Sequence, residues 1–468
     1  MGDVFCFKQK TAYERLRSLV GSEMCIRDRF REALLRGQAP DRGLYVPVEI
    51  PRLPPESWKN LRGAPYAEVA RAVVMPFVAG FISEDELARM LAEAYDFPVP
   101  IEDVRPGRCV LRLDRGPTLS FKDFAARLMA RLMARALEDG RRLRVLAATS
   151  GDTGGAVASA FLGVPGIEVV VLFPLAEVSA RQRLQMTTLG GNVAAVAVEG
   201  KFDDCQRMVK QAFADDDLRD LALTSANSIN FGRLVPQAVY YAYACLAIAA
   251  RHPGAEAVFS VPCGNFGNLC GGVIARRMGL PIKAFVAGTN ANDEFPRFLA
   301  TGAYAKIEPS RTCISSAMNV GHPSNLARLV DFYGGWLDHA GALREPPDLE
   351  ALRRDVQSVS VDDDATRGAM RAAYRDHGVV LDPHGAVAWH ALDVLRPRGG
   401  GGEIQVVIAT AHPAKFPEEV QAAIGAPVPA PETLAALERR REEFALLPPS
   451  YAELKKLLRA EAAHGARR

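Results

Sequence analysis

Long apolar runs are missing from this chain of 468 residues. Its most apolar stretch, Leu234 to Ala250, contains Pro236, Gln237 and three tyrosines and falls short of the ~20 residues of a typical spanning helix, so a buried helix is expected there and no membrane partner. An excess of one charge is missing as well. The formal net charge is +2, from well-mixed acids and bases, which leaves no electrostatic footprint for nucleic acid. The eight cysteines, at positions 6, 25, 109, 205, 245, 263, 270 and 313, include no C-x-x-C pair and no His/Cys cluster at zinc spacing. Reduced thiols, a cytoplasmic location and no metal site are expected. No apolar segment with a small-residue cleavage site opens the chain, so no secretory signal is apparent. Lysine is scarce beside arginine, which makes the placement of each lysine informative.

What is present fits a multi-domain enzyme, because an apolar fraction of 49% over this length suffices for two or three cored domains. Residues 1–29 follow neither the helical nor the strand period. They resemble the conceptual translation of a sequencing-library adapter, and are read as a non-native or variable extension outside the fold. Residues 30–100 read as a small, mainly helical N-terminal domain, with Ser83 and Glu86 forming a capping box ahead of a helix to Ala94. Farther on, apolar runs at Leu143 to Ala148, Ile167 to Phe173, Val193 to Val198, Ala257 to Val261, Ile282 to Ala287 and Gln405 to Ala409 alternate with helical patterns. That alternation predicts βαβ units and a mainly parallel α/β architecture. Residues 429–468 read as a C-terminal packing segment with helices from Glu432 to Leu446 and Tyr451 to Ala463.

Lys122 follows Gly116-Pro117-Thr118-Leu119-Ser120-Phe121 and opens a helix. Desolvation and the positive end of a helix both disfavour an ammonium, so Lys122 is a candidate Schiff-base nucleophile; the alternative is a solvated helix lysine. The strand ending at Ala148 empties into Thr149-Ser150-Gly151-Asp152-Thr153-Gly154-Gly155, which either presents main-chain N–H groups to an anion or is a plain strand-to-helix turn. It is neither a P-loop nor a dinucleotide fingerprint. The strand ending at Val261 runs into Pro262-Cys263-Gly264-Asn265-Phe266-Gly267-Asn268, where two glycines around an Asn-Phe pair can form a nest for a phosphate. A third strand ends in Thr410-Ala411-His412-Pro413-Ala414-Lys415-Phe416; taken singly, His412 reads as a packed loop histidine and Lys415 as a surface cation. Between the first two loops, Asn227, Ser228 and Arg233 are placed to bind a second anion, unless Asn227, Ser228 or Asn230 merely caps the helix that follows. Such strand ends converge on one crevice.

These motifs together resemble the threonine synthase family, in the order and spacing of its short-chain bacterial and fungal branch. The likeness runs from about Phe30 to the C-terminus and includes Gly43-Leu44-Tyr45-Val46-Pro47 and Met318 to Asn325. The family's first strand and its Ser-Thr-Arg-Gly-like segment are not found. The resemblance implies a pyridoxal 5′-phosphate enzyme of fold type II, like the tryptophan synthase β chain: two three-layer α/β/α units with mainly parallel sheets, behind a helical N-terminal domain. Residues 101–428 would then be the catalytic region, with a smaller α/β subdomain at about 143–230 inserted in the larger one. It further implies that Lys122 forms the Schiff base, that Gly264, Asn265, Phe266, Gly267 and Asn268 hold the cofactor phosphate, and that Thr410 bonds the pyridine nitrogen. Asp152 would lie near the cofactor's 3′ oxygen. Ser150, Gly151 and Thr153 would take the substrate carboxylate, and Asn227, Ser228 and Arg233, with Lys415, its phosphate.

The implied reaction converts O-phospho-L-homoserine and water into L-threonine and phosphate by β,γ-elimination and hydration, in a monomer or homodimer. The alternative within this fold is a phospho-lyase or a threonine/serine dehydratase releasing a 2-oxo acid, against which the phosphate constellation of Asn227, Ser228 and Arg233 counts.

Overall fold

The computed structural model describes residues 7–8, 27–39, 43–137, 141–395 and 402–465. Two sheets carry the architecture. The larger has six strands in the order Val356–Ser360, Ile282–Thr289, Ala257–Pro262, Ile404–Ala409, Arg108–Arg112, Ile101–Arg105. All its pairings are parallel except the last, which is antiparallel. The smaller has five strands, Ala445–Leu447, Val193–Val198, Ile167–Pro174, Leu143–Ala148 and Leu223–Thr224, paired in parallel throughout. Every residue of Leu143–Ala148 and Ala257–Pro262 is buried, which is why these strands read as continuous apolar runs and not as alternating ones: helices cover both faces.

The N-terminal domain is helical, with Tyr66–Val78 and Glu84–Ala94 as its main helices. Ser83 and Glu86 form the expected capping box. This domain fixes the helix that carries Lys122. Phe124, two residues on, packs among Tyr66, Phe97 and Tyr240 at ring-centroid distances of 5.4, 5.0 and 5.6 Å, and its carbonyl accepts from the Tyr95 hydroxyl at 3.1 Å. Fully burying such a ring contributes roughly 1.5–3 kcal/mol.

Three readings need correction. The helix Arg27–Arg36 starts inside the segment set aside as foreign, and Phe7–Lys8 pairs antiparallel with Val46–Pro47; residues 1–6 and 9–26 lie outside the described residues, and with them the rest of that reading. The C-terminal helix expected to run to Leu446 stops at Glu438, and Ala445–Leu447 adds a strand beside Val193–Val198. Tertiary anchoring overrides the charged helical pattern there: Glu442 takes a bidentate pair from Arg183 at 2.8 and 2.9 Å, and the Glu443 N–H donates to the Thr187 carbonyl at 2.7 Å. Strands Ile101–Arg105, Arg108–Arg112 and Val356–Ser360 were not foreseen, since their charged and hydroxyl residues mask the apolar run. The apolar stretch at Leu234 to Ala250 is a buried helix, Val235–Arg251, and no helix among the described residues is long and apolar enough to cross a membrane.

Candidate active site

The Lys122 loop is built to bring one amine to the strand ends. Leu119 sits at φ 58°, a left-handed conformation that costs an L-residue roughly 1–2 kcal/mol. Three contacts hold it: the Leu119 N–H donates to the Gly116 carbonyl at 2.9 Å, Phe121 N–H to the Thr410 carbonyl at 2.8 Å, and His412 N–H to the Leu119 carbonyl at 3.0 Å. Within the loop the Asp123 carboxylate accepts from the Thr118 N–H at 2.9 Å and the Thr118 hydroxyl at 2.6 Å. A Cβ on Gly116 would lie 2.4 Å from Asp123 Oδ2, so only glycine lets this loop close. Lys122 then opens the helix Lys122–Ala136. Its side chain is 15% exposed, with Nζ 3.9 Å from Asp152 Oδ2. Burial pushes its ammonium down to about 8; Asp152 opposes that shift, and Lys415 and Arg233 add to it. The solvated-lysine alternative therefore falls.

Asp152 begins the helix Asp152–Phe161 at the end of strand Leu143–Ala148. The Thr149 hydroxyl accepts the N–H groups of Gly151 and Gly154 at 2.9 and 2.8 Å, fixing the turn around Ser150, Gly151 and Thr153. Gly151 has φ 125°, and a Cβ there would meet the Gln182 side chain at 2.6 Å. Gln182 Nε2 in turn donates to Asp152 Oδ1 at 3.0 Å. Burial alone would raise the Asp152 carboxyl, but Lys415 and Lys122 hold it well below the usual carboxylate range. Lys415 is not a surface cation. It is fully buried, its ammonium 2.6 Å from Asp152 Oδ1 and donating to the Thr118 carbonyl at 2.9 Å. It is thus engaged by the lysine loop and Asp152. His412 is a packed loop residue: its Nδ1 accepts the Ala414 N–H at 3.1 Å, and burial, with Arg115 and Arg112, pushes it down to about 4.

The anion loops lie side by side. Phe266, at φ 58°, caps the helix Gly267–Arg277. A Cβ on Gly264 would lie 2.9 Å from both the Ala317 carbonyl oxygen and Met318 Cα. Asn265 Nδ2 donates to Ser228 Oγ at 2.7 Å and its Oδ1 accepts the Ser324 N–H at 2.5 Å, which ties the second anion loop to the first. Asn227 Nδ2 donates to the Ala148 carbonyl at 2.8 Å. Asn230 caps only the short turn Phe231–Arg233, its Oδ1 accepting the Gly232 N–H at 2.9 Å, and the long helix Val235–Arg251 has no side-chain cap. Arg233 is buried, and desolvation lowers its guanidinium to about 10. Thr410, also buried, ends strand Ile404–Ala409 next to the lysine loop.

Sequence reasoning missed several residues that organise this site. Gln182 belongs to a Ser179 capping box whose S-x-x-Q spacing was legible. The buried Asp382–His384 pair was not: His384 Nδ1 lies 2.5 Å from Asp382 Oδ2, and its Nε2 accepts the Ala317 N–H at 3.1 Å, steadying the turn that faces Gly264. Arg328 likewise carries no local signal, and Asn325 entered only as the end of the Met318 to Asn325 motif, with no role assigned.

A phosphate-bearing aldehyde cofactor fits these residues. Buried side-chain atoms with no protein partner include Asn268 Nδ2, Arg233 Nε and Asn227 Oδ1, a set rich in donors such as phosphate oxygens satisfy, and the Lys122 amine is near enough to feel the Arg233 charge. Fold and site define a pyridoxal-phosphate-dependent enzyme of fold type II. In agreement, the model of the pyridoxal-phosphate dependent enzyme family matches residues 107–411, while those of the threonine synthase N terminus and C-terminal region match residues 23–95 and 385–458. Threonine synthase of Haemophilus influenzae is 40% identical over 410 residues, covering 86% of this chain and 90% of that protein. Its Pseudomonas aeruginosa counterpart is 39% identical over 461 residues, covering 94% and 96%. The crystal structure of pyridoxal-phosphate-bound threonine synthase from Brucella melitensis superposes with a TM-score of 0.84 at 39% identity, covering 92% of this chain and 96% of that one. The chain belongs to the threonine synthase family, and its activity is that of a pyridoxal-phosphate-dependent lyase forming threonine from O-phospho-L-homoserine and water.

Proposed function

We propose the following division of labour for that reaction. The cofactor, when bound, supplies the electron sink that stabilises negative charge at the substrate carbons. Lys122 Nζ moves the protons: it takes one from Cα and passes it on, takes one from Cβ as phosphate leaves Cγ, and protons return to Cγ and Cα as water adds at Cβ. The observation that carries this reading is its buried amine, lowered to about 8, so that at neutral pH an appreciable fraction can accept a proton. Asp152, held ionised between Lys122 and Lys415, orients the amine and would lie near the cofactor's 3′ oxygen. Gly264 to Asn268 would hold the cofactor phosphate and Thr410 would bond its ring nitrogen. Ser150, Gly151 and Thr153 take the substrate carboxylate; Asn227, Ser228 and Arg233 take its phosphate.

Lys415 acts through Asp152 and the Thr118 carbonyl, not on the substrate. We assign residues 101–428 to the catalytic region, the strands from about 143 to 230 to its smaller unit, and the protein to the cytoplasm as a monomer or homodimer. The test is a product assay on purified protein with added cofactor and O-phosphohomoserine. Equal amounts of threonine and phosphate support the assignment; 2-oxobutyrate in place of threonine points to the dehydratase alternative. Sedimentation of the same sample reads the assembly state.

A further inference from the structure

Arg328 heads the fully buried side chains by size, at 0% exposure. It stands on the helix Leu326–Phe332, and its hydrogen bonds all go to loops around the site or to the N-terminal segment. Nε donates to the Tyr45 carbonyl at 3.1 Å, Nη1 to the Ser228 carbonyl at 2.9 Å and Asn325 Oδ1 at 2.6 Å, and Nη2 to the Ile229 carbonyl at 2.6 Å. These acceptors are dipoles, not charges. Among the described residues no carboxylate lies within 4.0 Å of this guanidinium. Burial accordingly lowers it to about 10, with only Cys270 and Asp331 opposing at longer range. A buried cation without a counter-ion is unfavourable, and the four oxygen dipoles with the Phe231 ring, its centroid 5.8 Å from the guanidinium carbon, answer its charge only in part.

The layer in front of Arg328 is one residue thick. A Cβ on Gly267 would lie 3.4 Å from Asn325 Nδ2 and 3.5 Å from Ser228 Cβ. The two residues that Arg328 grips therefore back directly onto the cofactor-phosphate loop. Ser228 also receives Asn265 and adjoins Asn227 in the substrate-phosphate set. We propose that Arg328 is the positioning residue of both phosphate sites: it clamps the Ser228–Ile229 backbone to Asn325 behind Gly264–Asn268, and phosphate bound in front of that layer balances its charge. This rests on the phosphate assignments made above. The Tyr45 carbonyl extends the clamp to the N-terminal segment, so that phosphate binding and docking of that segment reinforce each other.

The experiment compares wild type, Arg328→Lys and Arg328→Met, with inorganic phosphate, pyridoxal phosphate and pyridoxal as probes. Apo-protein melting with and without phosphate, and cofactor dissociation constants from fluorescence, are read alongside turnover. Arg328→Met is expected to lose the phosphate-induced rise in melting temperature and to bind pyridoxal phosphate ~10- to 100-fold more weakly, the range for losing hydrogen bonds made by a charged group, while pyridoxal affinity stays unchanged. KM for O-phosphohomoserine rises more than kcat falls. Arg328→Lys retains charge but cannot span four acceptors, so it falls between the two. Should Arg328→Met fail to fold, Arg328→Lys alone decides: wild-type affinity for both phosphates overturns the proposal. A lower melting temperature in Arg328→Met with wild-type binding of all three probes also overturns it, leaving a structural role only. If wild type itself gains nothing from phosphate, the phosphate assignment is what fails.

Discussion

The lysine loop and the anion loops are held in opposite ways. From Gly116 to Asp123 the loop is closed by partners within the protein: Asp123 on Thr118, Lys415 and Gln185 on the Thr118 carbonyl, Ser120 bridged to Ala411. From Asn227 to Asn268 buried polar atoms are left over, among them Asn268 Nδ2 and Arg233 Nε. The first region leaves only the Ser120 hydroxyl over and presents an amine; the second leaves Asn227 Oδ1, Arg233 Nε and Asn268 Nδ2, which bound anions would help to complete. Damage to the first should register as lost catalysis or stability, damage to the second as lost affinity for phosphate.

The sharpest break is Lys122→Ala. Removing the amine should eliminate threonine formation, a loss at least as large as the ~10²–10⁴-fold that positioned proton transfer supplies, together with the visible absorbance of the lysine-bound cofactor. Retention of either sinks the assignment. Next comes Lys415→Met, which leaves Asp152 buried with Lys122 as its remaining cation. A destabilisation of ~3–5 kcal/mol is expected from denaturant unfolding. Adding Asp152→Asn should recover most of it, whereas strict additivity of the two changes would show that the pair is not coupled.

Gly264→Ala is the matching perturbation of the anion side, because its Cβ meets the Ala317 carbonyl and Met318. Overpacking of ~1–3 kcal/mol should appear as weaker binding of pyridoxal phosphate, about tenfold, not as lost proton transfer. A pH series is subtler. The folded pKa of Lys122 lies below its unfolded value, so the unfolded chain binds more protons between about 8 and 10.5. Apo-protein stability from this group must therefore rise with pH across that window, and Lys122→Met should flatten the rise. For Asp152 the sign is opposite: its contribution is present above the normal carboxylate pKa and is lost as pH falls toward the depressed folded value. The smallest effect is Ser83→Ala, which removes a cap remote from both regions and should cost ~1 kcal/mol in unfolding with unchanged kinetics.

Much of the catalytic geometry was legible because it is local. Strand, glycine turn and helix follow one another at Leu143 and Ala257, and strand, His-Pro turn and helix at Ile404, so apolar period and turn chemistry together point at the same edge of the sheet. What escaped was nonlocal. Arg328 is separated from Tyr45 by 283 positions, and nothing in the residues flanking either one announces the other. Lys415 looked like a surface cation for the same reason, its carboxylate partner being far upstream at Asp152. Residues Arg439 to Glu443 carry helix-forming charges, yet their partners Arg183 and Thr187 pull the chain straight.

That straightened passage has a consequence for anyone who wishes to excise or transplant the smaller unit. The chain returns after more than two hundred residues to lay Ala445–Leu447 along Val193–Val198, so a fragment cut from the contiguous sequence alone exposes a raw apolar border. Such a border invites pairing with foreign strands, and a transplant that behaves well must bring the late ribbon along as a second piece.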